Sequence, residues 1–564
     1  MHKHAFEAAA LRAGVRFPRL HPLARAVARS CAGMALAAPA LAFNVDTGSP
    51  DLAVSWDNTF KYSAGWRVRG VNPDVAPAGT AGFTPQINTN DGDRNFSRGL
   101  ISNRLDILSE LGVRYKRDSG FRLSAAAWYD DVYQHDNDRS ASDAPGLNQS
   151  GPYDRFNRHT RIAHGRNAEL LDAFAYTRQS LGDMNLNLKA GRFTQLYGES
   201  LFFGNNGIAG AQTPLDLARA LSVPNSQFKE VARPVGQVSA QLQLTPDVIV
   251  GAYYQGEWRK SRLPAAGSYF SFADFVDDGG EILYTPYGPA LRGRDIEPGN
   301  AGQGGAQVRF RSGDTEYGLY AATFHEKLPQ FYARFNAGPA GVVPVDYVMV
   351  YGRNIRTVGG SFSTLVGDAN VAGEVSYRTN MPLVAAGSFV FPINDPAADG
   401  GSNARFPKGD TLHMNLSTIS VLGANALWDG ASFVGEFAFN RRLRVTDNPA
   451  ALDPNATRDA GAVQFVFTPE YFQVLPETDL QLPIGVSYGL FGRSSVNGVL
   501  FPSENGGSLS LGAKAVYQKA WHFSLNYTHY VGTAGSVATP SGLNSYQNFH
   551  GDRDFVSLSV QRAF

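Results

Sequence analysis

Residues 52–69, LAVSWDNTFKYSAGWRVR, put Leu52, Val54, Trp56, Phe60, Tyr62, Ala64, Trp66 and Val68 on even positions. The odd positions carry Ser55, Asp57, Thr59, Lys61, Ser63, Arg67 and Arg69, and only Asn58 interrupts the apolar row. A period of two is the mark of a β-strand with one apolar and one polar face. The pattern recurs at 101–115, at 121–129, on both arms of 235–258 around Thr245-Pro246-Asp247, and on both arms of 508–530.

This periodicity predicts eighteen strands between residues 52 and 564. Their connections alternate between turns of a few residues and loops of dozens, the latter rich in Gly, Asn, Asp and Pro. Short turns on one side and long loops on the other are the pattern of an outer-membrane barrel. An even strand number places both ends in the periplasm. Lipid would then cover the apolar rows, because only a closed barrel leaves strands in lipid without unpaired edges. The expected fold is all-β: an antiparallel transmembrane barrel of about eighteen strands, spanning 43–564. Tyr62, Ala64, Trp66 and Val68 should face lipid; Lys61, Ser63, Arg67 and Arg69 should face the lumen.

The N-terminus supports export. Residues 1–30 hold Lys3, Arg12, Arg16, Arg19, Arg25 and Arg29 against Glu7 alone, and the apolar run CAGMALAAPALA follows. The pattern predicts a signal peptide over 1–42 with cleavage after Ala42. Cleavage removes six of 50 basic and one of 50 acidic residues, leaving 44 against 49 and a net charge of −5. That mild acidity argues against nucleic acid as a partner. The single cysteine, Cys31, leaves with the signal, so the mature chain cannot form disulfides.

The polar rows supply the pore-lining candidates: Arg104, Asp106, Glu110, Arg114, Arg122, Lys189, Glu257, Arg259, Arg309, Arg311, Glu374, Arg378 and Glu436. Both signs occur, which predicts weak overall ion selectivity with local rings of charge. Segment 198–234 lacks alternation. Within it, Thr213-Pro214 followed by LDLARAL predicts a short capped helix with Leu215, Ala218 and Leu221 on one side. A wide lumen needs a restriction, so 198–234 is a candidate luminal or lid segment, with Glu199 as a constriction charge.

Other chemistry finds little support. The histidines remaining after cleavage (His135, His159, His164, His325, His413, His522, His529 and His550) are scattered, and neither a Gly-x-Ser-x-Gly elbow nor a His-Glu-x-x-His pair is expected with them. Asp91, Asp93, Asp277 and Asp278 lie in acidic glycine-rich loops without EF-hand spacing, so no metal is assigned. With the first strand near Leu52, the mature chain leaves no room for an N-terminal plug domain.

The C-terminal FVSLSVQRAF places Val556, Leu558, Val560 and Phe564 in one row, interrupted by Arg562. Phe564 is the candidate assembly signal. A wider likeness is carried by SWDNTFKYSAGWRV (55–68), NDGDRNFSRGLISNRLDIL (90–108), AAAWYDDVY (125–133), YGESLFFG (197–204), TPLDL (213–217), YYQGEWRKSRLPAAGSYFS (253–271) and VAGEVSYRTNMPL (371–383). Through these stretches the chain resembles the large Gram-negative outer-membrane β-barrel family of unknown function, of the DUF1302 type. That family more often has Trp-Gly-Glu where this chain has Tyr197-Gly198-Glu199. The resemblance implies an outer-membrane barrel and a loose association with export or uptake of hydrophobic compounds. It carries over no substrate and no catalytic residue.

The expectation is a porin-like channel passing a small-molecule solute by diffusion, without cofactor or enzymatic activity. Its partners would be outer-membrane lipid, the outer-membrane assembly machinery and, for a homo-oligomer, further copies of the chain. A transporter of hydrophobic compounds would instead need an apolar path. An outer-membrane hydrolase would need Ser, His and Asp converging in the lumen.

Overall fold

A computed structural model describes residues 43–45, 47–78, 83–143 and 146–564. The expected signal peptide, with Cys31 and Ala42, lies outside the described residues. Eighteen antiparallel strands follow one another around a closed ring. They are β1 Leu52–Arg67, β2 Gly99–Tyr115, β3 Ser119–Asp130, β4 Arg166–Leu181, β5 Met184–Phe193 and β6 Val235–Thr245. Next come β7 Val248–Gln255, β8 Gln303–Ser312, β9 Thr315–Phe324, β10 Ile355–Val366, β11 Ala369–Pro382 and β12 Lys408–Leu422. The ring is completed by β13 Gly430–Asp447, β14 Asp459–Leu475, β15, β16 Gly507–Tyr517, β17 Trp521–Val531 and β18 Phe555–Ala563. Strand β15 runs as Thr478–Gln481 and Ile484–Phe491. The break falls at Leu482-Pro483, where proline has no N–H for the ladder. Residues 43–45 add a short strand beside the start of β1.

Turn chemistry closes one end tightly. Three hairpins turn on Gly-Asp, at Gly182, Gly313 and Gly367, and each glycine has a φ of +60° to +64°. A two-residue turn matched to strand twist needs that left-handed conformation, which glycine adopts without steric cost. The last strand closes the ring by pairing with both β17 and β1. The Phe564 and Asn58 backbones exchange two hydrogen bonds, at 2.8 and 3.1 Å. Its ring meets Phe60 edge-on at 5.7 Å. Arg562, the interruption in the apolar row, lays its guanidinium 4.8 Å from the Trp521 ring centroid and 4.4 Å from that of Phe564.

The alternation sorts side chains as their period requires. On the outer face Leu319, Val358 and Leu525 are 58%, 55% and 51% exposed. Inside, Lys61, Ser63 and Arg67 are buried, with Lys61 opposite Asp106 and Gln561. Of the expected outer row, Val68, just past the end of β1, is exposed while Ala64 within the strand is covered. Arg69 lies just beyond the strand, 3.8 Å from Asp554.

The long loops fold into structure that the pattern did not predict. A hairpin, Gln330–Gly338 and Gly341–Val350, takes Phe389–Val390 as a third strand, and a second hairpin joins Ile282–Thr285 to Gly288–Leu291. Their side chains share a core with Trp258, Phe275 and Tyr351. Among the described residues no helix is long and apolar enough to cross a membrane.

Candidate functional site

The barrel interior is organised by the loop joining β5 to β6, residues 194–234. Its first limb lies against β11–β13. The Glu436 carboxylate accepts three successive backbone N–H groups, from Leu201, Phe202 and Phe203 at 3.2, 2.5 and 2.8 Å. Glu374 accepts from the N–H of Glu199 at 2.6 Å and of Ile208 at 2.8 Å. Arg378 donates to the carbonyls of Asn205, Asn206 and Gly207 at 3.1, 2.9 and 2.6 Å. The Asn206 amide then reaches Asn415 on β12 at 2.9 Å. Charged side chains of β11 and β13 thus hold backbone groups that would otherwise have to find water, with the neutral Asn415 of β12 between them.

The second limb crosses to β1 and β2. Its helix, α1 Leu217–Ser222, is capped by Asp216, whose carboxylate accepts from the Arg219 N–H at 2.8 Å. The expected start at Thr213-Pro214 is therefore corrected: the Asp216 carboxylate satisfies an orphan helix donor, while the Thr213 hydroxyl donates to the Gln195 carbonyl at 2.9 Å instead of capping. Of the expected apolar side, Ala218 is buried and Leu221 is 42% exposed. Arg219 pairs with Asp106 at 3.1 Å and Glu230 at 2.8 Å, Lys61 with Glu230 at 3.5 Å, and Lys229 with Glu110 at 2.5 Å. Rooted between β5 and β6, the loop therefore touches the wall at three positions spaced around the ring.

The pore-lining candidates have different fates. Glu374, Arg378 and Glu436 are 6%, 1% and 4% exposed, because the first limb covers them. Arg104 makes a bidentate bond to Asp106, both distances 2.8 Å, and Arg122 pairs with Glu110 and, at 3.5 Å, with Asp172. Lys189 rests over the rings of Phe174 and Phe193. Glu257 and Arg259 lie past the end of β7, where Glu257 pairs with Arg192 at 2.5 Å and Arg259 reaches the Pro234 carbonyl at 3.0 Å. Arg309 pairs with Glu316 across β8–β9, and both act electrostatically on Glu199. Arg114 and Arg311 are exposed near the short-turn end. Arg219 and Glu230, central to the second limb, were not among the candidates. Their signal was opposite charge within a segment that lacks strand alternation.

Among the cavities bordered by described residues are chambers of about 590 and 680 Å³. The first lies between residues 220–226 and the wall of β14 and β16–β18. The second is lined by β3–β6 and includes Arg122, Arg178 and Lys189.

Residues 23–564 match the sequence profile of the family described as "Protein of unknown function (DUF1302)". The chain belongs to this family. No curated protein matches the sequence. Among solved structures, this DUF1302 barrel is similar to Pseudomonas aeruginosa OccK9 (OpdG), at 10% identity and a TM-score of 0.41, covering 91% of this chain and 98% of that one. The outer membrane protein OpdK of the same organism gives 9% identity and 0.40 over 91% and 98%. Salmonella typhi OmpF gives 8% and 0.36 over 93% and 100%.

Single Gly-x-Ser-x-Gly spacing occurs in the DUF1302 barrel, at Gly485 to Gly489. It lies within β15, where Ser487 pairs with Gln464 and Ser508 in the ladder. A nucleophile elbow requires a strand-to-helix turn instead. The acidic loops are engaged with cations: Asp91 with Arg139, Asp277 with Lys260, and Asp93 with Arg67 at 2.5 Å and Arg553 at 3.5 Å.

Asp552 joins that last group, 3.2 Å from Arg67, and accepts the Asn72 N–H at 2.6 Å. Burial first, and then the Asp93 carboxylate, push the Asp552 carboxyl up to about 6. A carboxyl that binds its proton more tightly when packed favours the packed state only while protonated. That stabilisation is complete below the ordinary carboxylate range and lost as pH rises through about 6. Hydrogen exchange in 548–554, corrected for intrinsic rates, should be at least about tenfold slower at about pH 5 than at about pH 7.5. Asp552→Asn should abolish the difference. Equal wild-type protection at both values would contradict the arrangement.

Proposed function

We propose that this DUF1302 barrel is an outer-membrane channel for passive passage of a small solute, with loop 194–234 as its restriction element. The carrying observation is the three-point bracing of that loop across the interior. A barrel of this strand number has a lumen wide enough for water, and its exposed apolar outer rows call for lipid. A loop that spends so many charged contacts on one crossing position sets the width of the path. Purified protein in planar bilayers should give discrete, salt-dependent current steps. Folded protein that never conducts would refute the reading.

A second reading, passage of hydrophobic compounds, has one observation in its favour. A chamber of about 290 Å³ is bordered by Leu196, Leu201, Phe202, Phe228, Leu328 and Leu500. Saturable uptake of a radiolabelled alkane into proteoliposomes, with no ion current, would favour it over the first.

A further inference from the structure

We propose that the 590 Å³ chamber beside β14 and β16–β18 is a binding station for a neutral, polyhydroxylated solute of the sugar class. The proposal rests on the channel reading, because such a solute reaches the chamber through the lumen.

The wall carries the argument. Gln464, Ser510, Asn526, Thr528 and Ser557 line the chamber and are all uncharged. Register makes them a patch: Ser510 stands opposite Thr528, and Asn526 opposite Ser557. Among the described residues, the side chains of Gln464, Asn526 and Thr528 have no hydrogen-bond partner. Ser63, also in the wall, has a buried hydroxyl that is likewise unpartnered. The ionised groups at the margin are already engaged. Arg104 is held by Asp106, and Asp130 accepts from Ser102 at 2.6 Å and the Asn103 N–H at 2.9 Å.

The free groups decide the solute class. An ion entering here would lose water and gain no uncommitted countercharge. An apolar solute would strip water from amides and hydroxyls and give nothing back. A polyol exchanges its water hydrogen bonds for bonds to groups that both donate and accept. Its C–H faces would rest on the rings of Phe202 and Phe555, which border the same chamber. The volume lies within the range of about 300–1,000 Å³ usual for small-molecule sites.

Calorimetric titration of the detergent-solubilised full chain with maltose and with sucrose tests this. Saturable binding of at least one is expected, with no heat from sodium benzoate. Thr528→Val, which keeps shape, and Asn526→Leu should each weaken binding about tenfold. Asn187→Leu, on the inner face of β5, should leave binding unchanged. Heat-modifiable migration in gels checks that each variant is folded. If neither disaccharide binds a protein that conducts ions, the site is refuted and the channel reading stands. If disaccharide binds, and both wall variants weaken it, in a protein that never conducts, the site stands and the channel reading falls. Wild-type affinity in folded Thr528→Val and Asn526→Leu would also overturn the proposal.

Discussion

Replacing residues 203–228 with a short Gly-Ser linker will raise single-channel conductance severalfold and weaken discrimination between solutes, while the barrel still forms. The expectation follows from how the loop is held. Barrel pairing makes no use of 203–228, since β5 and β6 pair directly from Asn185↔Gln243 to Phe193↔Val235. Removal therefore opens the lumen without breaking a ladder. The same logic applies to the anchors. Glu436 binds three backbone N–H groups and Glu374 two, so Glu374→Ala/Glu436→Ala leaves five donors, one buried and four part-buried, without their acceptors. The first limb should detach, because a buried unpaired donor costs about 1–3 kcal/mol. Conductance of the double variant should lie between wild type and the loop replacement, with greater current noise from a moving segment. Unchanged conductance in a folded loop replacement would place 203–228 outside the permeation path.

Leu525→Arg will sharply reduce the yield of folded protein in the outer membrane, whereas Asn526→Arg will leave it near wild type. The two residues are neighbours in the middle of β17 and point to opposite faces. Leu525 is 51% exposed on the outer surface, and Asn526 lines the luminal chamber. A lipid-facing arginine costs about 2–4 kcal/mol near the midplane of the bilayer. An arginine at 526 has a chamber of about 590 Å³ to extend into. Heat-modifiable migration of membrane fractions measures both yields. Equal yields would mean that the exposed outer rows do not meet lipid.

Local signals made the barrel legible. A period of two assigns each residue to a face, and Gly-Asp turns mark where a strand must reverse, so strand number and order could be read residue by residue. The hairpin 330–350 escaped that reading for a physical reason. Tyr332, Ala333, Tyr347, Val348, Met349 and Val350 are all fully buried. A strand covered on both faces shows no alternation to detect. The helix predicted from Thr213-Pro214 begins at Leu217, because its cap depends on where the Asp216 side chain turns.

The sequence alone determined the closed antiparallel barrel, the sorting of rows and the irregular character of 198–234. These depend on neighbours along the chain or on the adjacent strand. Only the tertiary structure decided which polar rows are open. Glu374, Glu436 and Arg311 look alike in the pattern, yet the two carboxylates are sealed beneath loop backbone and Arg311 is exposed. The difference comes from a loop rooted some six strands away around the ring. Alternation says that a side chain points inward. It carries no information about what the closed ring brings across the lumen to meet it.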